Sequence, residues 1–397
     1  MPWQYKIVVV ASSFFIMFVI IYIPLTIIKL RSVPKELAIE SLRFIGGQKP
    51  PGMLDPSLAY DPQNEKIWMA YTAEEKSSEP STDPGQSGKT LNVRLASSQP
   101  EAACRRWRQA SVAFDGKNDN IFAPDGQTVL RSGTWRIETP ALVYDPDDPG
   151  REWKLYAYKY FWANDPKSVM QVAQHYGMIV YKYAADPDKE WSPEQWLFSP
   201  SPNYPPPPYD SLILLNLNRL DPALQNVVAY ARPSVVYKDG ALVMTLSAFT
   251  GDMTPDRIIM IVSLDHGNSW RYVGTVLQQS DLSGLGAYTR LAGATLIEQG
   301  SQVYLAAALG NEQQRGQGTF IFGFDDFGKG LLLRDPKTGA LSLLHQIPLP
   351  KPGAGSIGGG AAAYSDACAS GIMITEQTGN NGNFDIYHTG IKPIEKQ

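Results

Sequence analysis

Asp55 and Glu138 are the two carboxylates of this chain whose surroundings suit acid–base chemistry. Asp55 opens the segment Asp55-Pro56-Ser57-Leu58-Ala59-Tyr60, and Glu138 immediately precedes Thr139-Pro140-Ala141-Leu142-Val143-Tyr144, a segment of the same pattern. Two carboxyl groups set close together can divide the work of general acid and general base, one giving a proton to a leaving group and one activating water. Arg136, Arg232 and Arg290 fall near the starts of similar segments, so cations are at hand to tune an acid/base pair or to bind an anionic sugar. A second reading of the same residues is structural: both carboxylates pair with the arginines and hold strands in register. Trp135, Tyr204, Tyr209 and Tyr288 are candidate sugar-stacking platforms, or ordinary packing aromatics.

Other chemistries find little support. The four histidines, His175, His266, His345 and His388, have no metal-ligand spacing, and no metal or cofactor is expected. Asp145 to Gly150 and Asn380 to Asp385 have calcium-loop composition, but such runs also serve as plain turns. Gly353 to Gly358 matches a dinucleotide-binding glycine pattern by letter only, since a strand and not a helix follows it. There is no nucleophile elbow and no Walker loop. A formal net charge of -4, without a dense Lys/Arg tract in the body of the chain, argues against a nucleic-acid partner.

Positioning such residues is the work of a repeat. Arg232-Pro233-Ser234-Val235-Val236-Tyr237 matches the two segments above, and Gly293 to Glu298 and Gly359 to Tyr364 are weaker copies. Each is followed by a turn and a second apolar strand, at Lys66 to Thr72, Trp153 to Lys159, Ala241 to Ser247, Gln302 to Ala308 and Gly371 to Thr375. Third strands follow at Leu91 to Ala96, Met178 to Tyr183, Ile258 to Val262, Thr319 to Phe324 and Asp385 to Thr389. Abundant glycine and proline, 34 and 31 residues, suit many short strands joined by turns. The expected fold is all-β, a five-bladed propeller with small residues crowded around its axis and its site at the mouth where inner strands begin. A two-sheet sandwich is the competing architecture. Glu74 to Lys89, Asp115 to Ile137 and Pro200 to Ala229 break the rhythm. The last two are expected as long loops over the funnel, with a short helix around Asp221 to Val228.

After the third strand of the third repeat stands Ser263-Leu264-Asp265-His266-Gly267-Asn268-Ser269-Trp270, of the form S-x-D-x-G-x-x-W. Its Asp265 is suited to accept backbone N–H bonds inside a hairpin turn, Gly267 to supply positive φ, and Trp270 to pack between sheets. This stretch resembles the Asp-box of sialidase-like propellers, and together with the five repeats and Asp-Pro-Ser it makes residues 53 to 391 similar to five-bladed propeller glycosidases, arabinanase/xylosidase-like and invertase-like. The resemblance implies a general base at Asp55. It also implies carboxylates opening two later blades, where this chain has Arg232 and Gly293 or Ala292, which leaves Glu138 as the other inner-strand carboxylate. A three-arginine carboxylate clamp is the sialidase device, but no Tyr/Glu nucleophile pair can be assigned by spacing.

Ile7 to Ile28 carries no charge and is long enough for one membrane-spanning helix; a cleaved signal peptide is the competing reading, against which stand the length of the run and the lack of a small-x-small site after it. The chain is thus expected as an anchor at residues 1–31, a linker and ring-closing strand at 32–52, and the propeller at 53–397. Lys29, Arg31 and Lys35 against Lys6 would by charge keep the body in the cytoplasm; the very short N-terminal tail and the resemblance favour the periplasm or cell exterior. Ser41 to Ile45 is expected on the outer edge of the last blade, closing the ring. Cys104 falls in the first repeat and Cys368 in the last, which makes them a candidate disulfide across that closure, or else two unrelated thiols. The sequence therefore points to a membrane-anchored glycoside hydrolase acting on a polysaccharide or glycan, or to a non-catalytic propeller that binds polysaccharide or a partner protein.

Overall fold

The computed structural model describes residues 40–45, 49–76, 89–102, 104–123, 125–163, 177–199, 213–250, 255–285, 288–310, 316–349, 357–377 and 383–394. They form five sheets, antiparallel but for an outer strand in two of them, and the innermost strand of each packs against the innermost strand of the next, the fifth returning to the first. The chain is an all-β five-bladed propeller, as the repeat implies. The apolar run Ile7 to Ile28 and the tyrosines Tyr204 and Tyr209 lie outside the described residues. Among the described residues no helix is long and apolar enough to cross a membrane.

The inner strands are Gly52–Asp61, Val129–Tyr144, Ala229–Lys238, Arg290–Gln299 and Ile357–Ala363. Second and third strands fall where the apolar alternation puts them, for example Lys66–Lys76 and Lys89–Ser98 in blade 1. Apolar residues from facing sheets fill each seam, so the core is five clusters rather than one. Leu142 and Leu155 of blade 2 meet Trp68 and Leu95 of blade 1, whereas Trp270 of blade 3 joins Tyr156 and Phe198 of blade 2. Burying each such side chain contributes about 1.5–3 kcal/mol, and none can be buried by one blade alone.

Closure differs from expectation in a useful way. Glu40–Ser41 pairs antiparallel with Phe384–His388 of blade 5, and Arg43–Ile45 then crosses to lie parallel to Arg106–Phe114 of blade 1. The segment therefore seals both sides of the seam between the first and last blades, and not only the outer edge of the last. Cys104 and Cys368 form a disulfide across the same seam, with a Cα–Cα distance of 5.3 Å.

Two further expectations are corrected. Asp115 to Ile137 is not a loop: Asn118–Phe122 forms a hairpin with the first half of the 16-residue strand Val129–Tyr144. Side chains hold the pair together, Thr134 donating to Asn118 and Ser132 to Asn120, each at 2.7 Å. Around Asp221 to Val228 there is a single 3-10 turn, Pro222–Leu224, capped by the Asp221 carboxylate, which accepts from the Ala223 N–H at 2.8 Å.

The turn that follows Arg257–Ser263 is a side-chain knot. Asp265 Oδ1 accepts from the Ser269 N–H and the Ser263 hydroxyl, both at 2.8 Å, while Ser263 Oγ accepts from the Gly267 N–H at 2.8 Å. Gly267 sits at φ 92°, where a side chain would be strained, and the Trp270 indole donates to the Gly267 carbonyl at 3.1 Å. Blade 1 repeats the last bond, with Trp107 donating to the Cys104 carbonyl at 2.7 Å.

Candidate functional site

Three X-Pro steps create the site. Asp55, Thr139 and Arg232, each followed by proline, have φ of 54°, 52° and 54°, a left-handed conformation that costs a non-glycine residue about 1–3 kcal/mol. At each the pairing to the second strand slips by one residue, between Leu54 and Ser57, Glu138 and Ala141, and Ala231 and Ser234. Such bulges bend a strand and re-aim its side chains. Here they bring Asp55, Thr139 and Arg232 to the inner end of an axial cavity of about 520 Å³.

A chain of hydrogen bonds that links three blades runs through Asp55. Its N–H donates to Thr375 Oγ1 of blade 5 at 3.0 Å, and its Oδ2 accepts from the Thr72 hydroxyl at 3.3 Å. Thr72 Oγ1 in turn accepts from the Thr139 N–H of blade 2 at 2.9 Å. Arg232 lies so close to blade 4 that a Cβ on Gly293 would meet its guanidinium at 2.6 Å, which explains a glycine at that position.

Glu138 sits just before the bulge and is half-buried. Burial pushes its carboxyl up to about 7, with the neighbouring Asp55 carboxylate adding to the rise. Arg232, Arg136 and the Tyr160 hydroxyl pull the other way, Tyr160 donating to Glu138 Oε2 at 3.4 Å. The structure therefore brings Asp55, Glu138, Arg136 and Arg232 into one electrostatic group across adjacent blades. Arg136 also stacks over the Trp162 ring at 4.2 Å. Arg290 opens the inner strand of blade 4 opposite Gly310 and is not among the charges acting on Glu138.

Of the four aromatic candidates, Trp135 and Tyr288 fall among the described residues, and both are engaged in packing. Trp135 is 3% exposed, its indole donating to Asp119 at 3.0 Å and its ring packed edge-on against Phe161, so no face is left for a sugar. Tyr288 is half-buried and packs edge-on against Phe320 on the third strand of blade 4, and its hydroxyl accepts from Gln346 at 3.1 Å.

Sequence reasoning missed Thr72 and Tyr160. Both stand on second strands, where no motif marks them. Asp145, Asp148 and His266 form the group of described residues with metal-like spacing, their ligand atoms within 4.8 Å. The buried Lys154 ammonium already bridges the two carboxylates, at 3.0 and 2.7 Å, and fills the role of the cation.

No family model and no curated protein matches the chain. Among solved structures it is similar to Zg3597, a family 117 glycoside hydrolase of the marine bacterium Zobellia galactanivorans, at 13% identity and a TM-score of 0.46 over 91% of this chain and 92% of that one. It is also similar to the NanB sialidase from Streptococcus pneumoniae, at 9% identity and a TM-score of 0.43 over 91% and 71% of the two chains. A GH43 endo-arabinanase from Bacillus licheniformis aligns at 15% identity and a TM-score of 0.38 over 69% and 74%. At such identities each is a likeness of fold alone.

Proposed function

We propose that this chain is a carbohydrate-active propeller, a glycoside hydrolase with Asp55 and Glu138 as its carboxyl pair, held to a membrane by Ile7 to Ile28 with the propeller outside the cytoplasm. The observation that carries the reading is the coupling of the two carboxyls. Glu138, raised to about 7 by burial and by Asp55, is still partly protonated near neutral pH, while Asp55 accepts the Thr72 hydroxyl. Environments that push two carboxyls apart assign an acid and a base. Glu138 gives its proton to the leaving oxygen as the glycosidic C–O bond breaks, and Asp55 takes a proton from the water whose oxygen bonds to the anomeric carbon. Arg136 and Arg232 favour an anionic sugar. In this reading Ser263 to Trp270 is an Asp-box, a structural element remote from the chemistry.

A second reading is a propeller that binds polysaccharide or a partner protein in a cell-envelope assembly without turnover. It is favoured by Arg232 and Gly293, which stand where the resemblance expects further carboxylates. Screening the full chain against neutral and uronic-acid glycans decides between them. Hydrolysis lost by at least about a hundredfold in both Asp55→Asn and Glu138→Gln supports the hydrolase. Binding without turnover supports the second reading, and turnover unchanged in either variant removes that residue from the mechanism.

A further inference from the structure

The axial cavity has a second end that the carboxyl pair does not use. Its walls run from Asp55 and Arg232 down to the turns that follow the inner strands, at Pro62, Pro146, Gly300 and Asp366. Aligned from the bulge, the five inner segments close on Tyr60, Tyr144, Tyr237, Glu298 and Tyr364, and all five line this end. Four aromatic residues and one carboxylate thus encircle the opening, with the exposed Asp366 beside them.

The hydroxyls of three of these tyrosines are committed to turn residues. Tyr144 accepts from Gln63 at 3.2 Å, Tyr237 donates to Asp147, and Tyr364 donates to Asp366 at 2.9 Å. Tyr60 is 40% exposed and the half-buried Tyr237 and Tyr144 leave part of their rings open, Tyr144 packing its other side against Trp153, while Tyr364 is 6% exposed and backs the wall from within the core. Ring faces are electron-rich, and a desolvated organic cation is the group they select over a neutral one of equal shape. Glu298 already draws an ammonium to this rim, holding Lys238 Nζ at 3.0 Å in a pair that is partly open to solvent and so exchangeable. The volume, about 520 Å³, lies in the range of small-molecule sites.

We propose that this end of the channel is a binding site for an organic cation bearing an alkylated ammonium group, separate from the carboxyl pair and independent of the hydrolase reading. Choline is the probe, titrated calorimetrically into the full chain, with 3,3-dimethylbutan-1-ol as its uncharged isostere. The expected result is saturable binding of choline and none of the alcohol. Tyr60→Ala and Glu298→Gln should each weaken binding about three- to tenfold, and Tyr60→Phe should leave it unchanged. Unaltered thermal unfolding of the variants shows that the loss is local; a variant that unfolds is replaced by Tyr60→Leu, which keeps apolar bulk without the ring. Equal affinity for the alcohol, or no saturation by choline up to about 10 mM, overturns the proposal.

Discussion

Thr72 has one hydroxyl hydrogen, and its neighbours decide where that hydrogen points. Because the Thr139 N–H donates to Oγ1 at 2.9 Å, the hydrogen is left for Asp55 Oδ2 at 3.3 Å, so one buried side chain on a second strand fixes both a neighbouring blade and the carboxylate. Thr72→Val removes the acceptor as well as the donor and leaves a buried backbone N–H unpaired. It should destabilise the protein by about 1–3 kcal/mol in denaturant unfolding, whereas Thr72→Ser stays within a few tenths of wild type. Equal loss in both variants would mean that the methyl group's packing matters and the hydroxyl does not. At this scale the sequence was half legible. Asp55, Glu138, Arg136 and Arg232 stand out by type and position, but left-handed backbone ahead of a proline is the opposite of what local sterics favour, and only the surrounding ring enforces it.

Between neighbouring inner strands a single hydroxyl recurs as a pin. Ser57 accepts from the Leu142 N–H at 2.9 Å, Ser234 from the Leu296 N–H at 2.8 Å, and Thr295 from the Ala362 N–H at 3.1 Å. These residues occupy the same position of the repeat, two after the one that opens it, and each reaches the next blade. Ala141 is the equivalent residue in blade 2 and has no hydroxyl to offer blade 3. Ala141→Ser should supply the missing pin to the Val235 N–H and raise the unfolding free energy by about 1 kcal/mol. A loss instead would show that the seam is too apolar and tight to admit the oxygen. Inner, second and third strands were readable because apolar alternation and turn residues are local signals. The hairpin over Asn118 to Val129 was not, since its strands are polar and are held by side chains of Asn118, Asn120, Ser132 and Thr134.

As a whole the molecule is a ring that must be shut at one seam. Glu40 to Ile45 straddles that seam, and the disulfide joins residues 264 apart in sequence on its two sides. A cross-link closing so long a loop constrains the unfolded chain strongly. Replacing Cys104 and Cys368 together by serine should lower stability by about 2–5 kcal/mol, with amide exchange rising first in Phe384–His388 and Arg106–Phe114. Uniform acceleration across all five blades would contradict a local closure role. The number of blades was legible because the inner-strand pattern returns five times, and it made Cys104 and Cys368 a candidate pair that the structure joins. Which charges meet at the axis was not, because residues such as Asp55 and Glu138 are neighbours only once the ring has formed.

The joint ionisation of Asp55 and Glu138 is the claim on which the functional account stands, and it can be measured without knowing the substrate. Carboxyl-carbon NMR titration of selectively labelled wild type and Asp55→Asn reads it directly. A folded value above the usual 4.5 means that Glu138 keeps its proton after the unfolded chain has released it, so the group favours folding less and less as pH rises from about 4.5 to about 7. The account predicts a Glu138 midpoint near 7 in wild type, with a clear fall in Asp55→Asn. A midpoint near 4.5 in both proteins would contradict it.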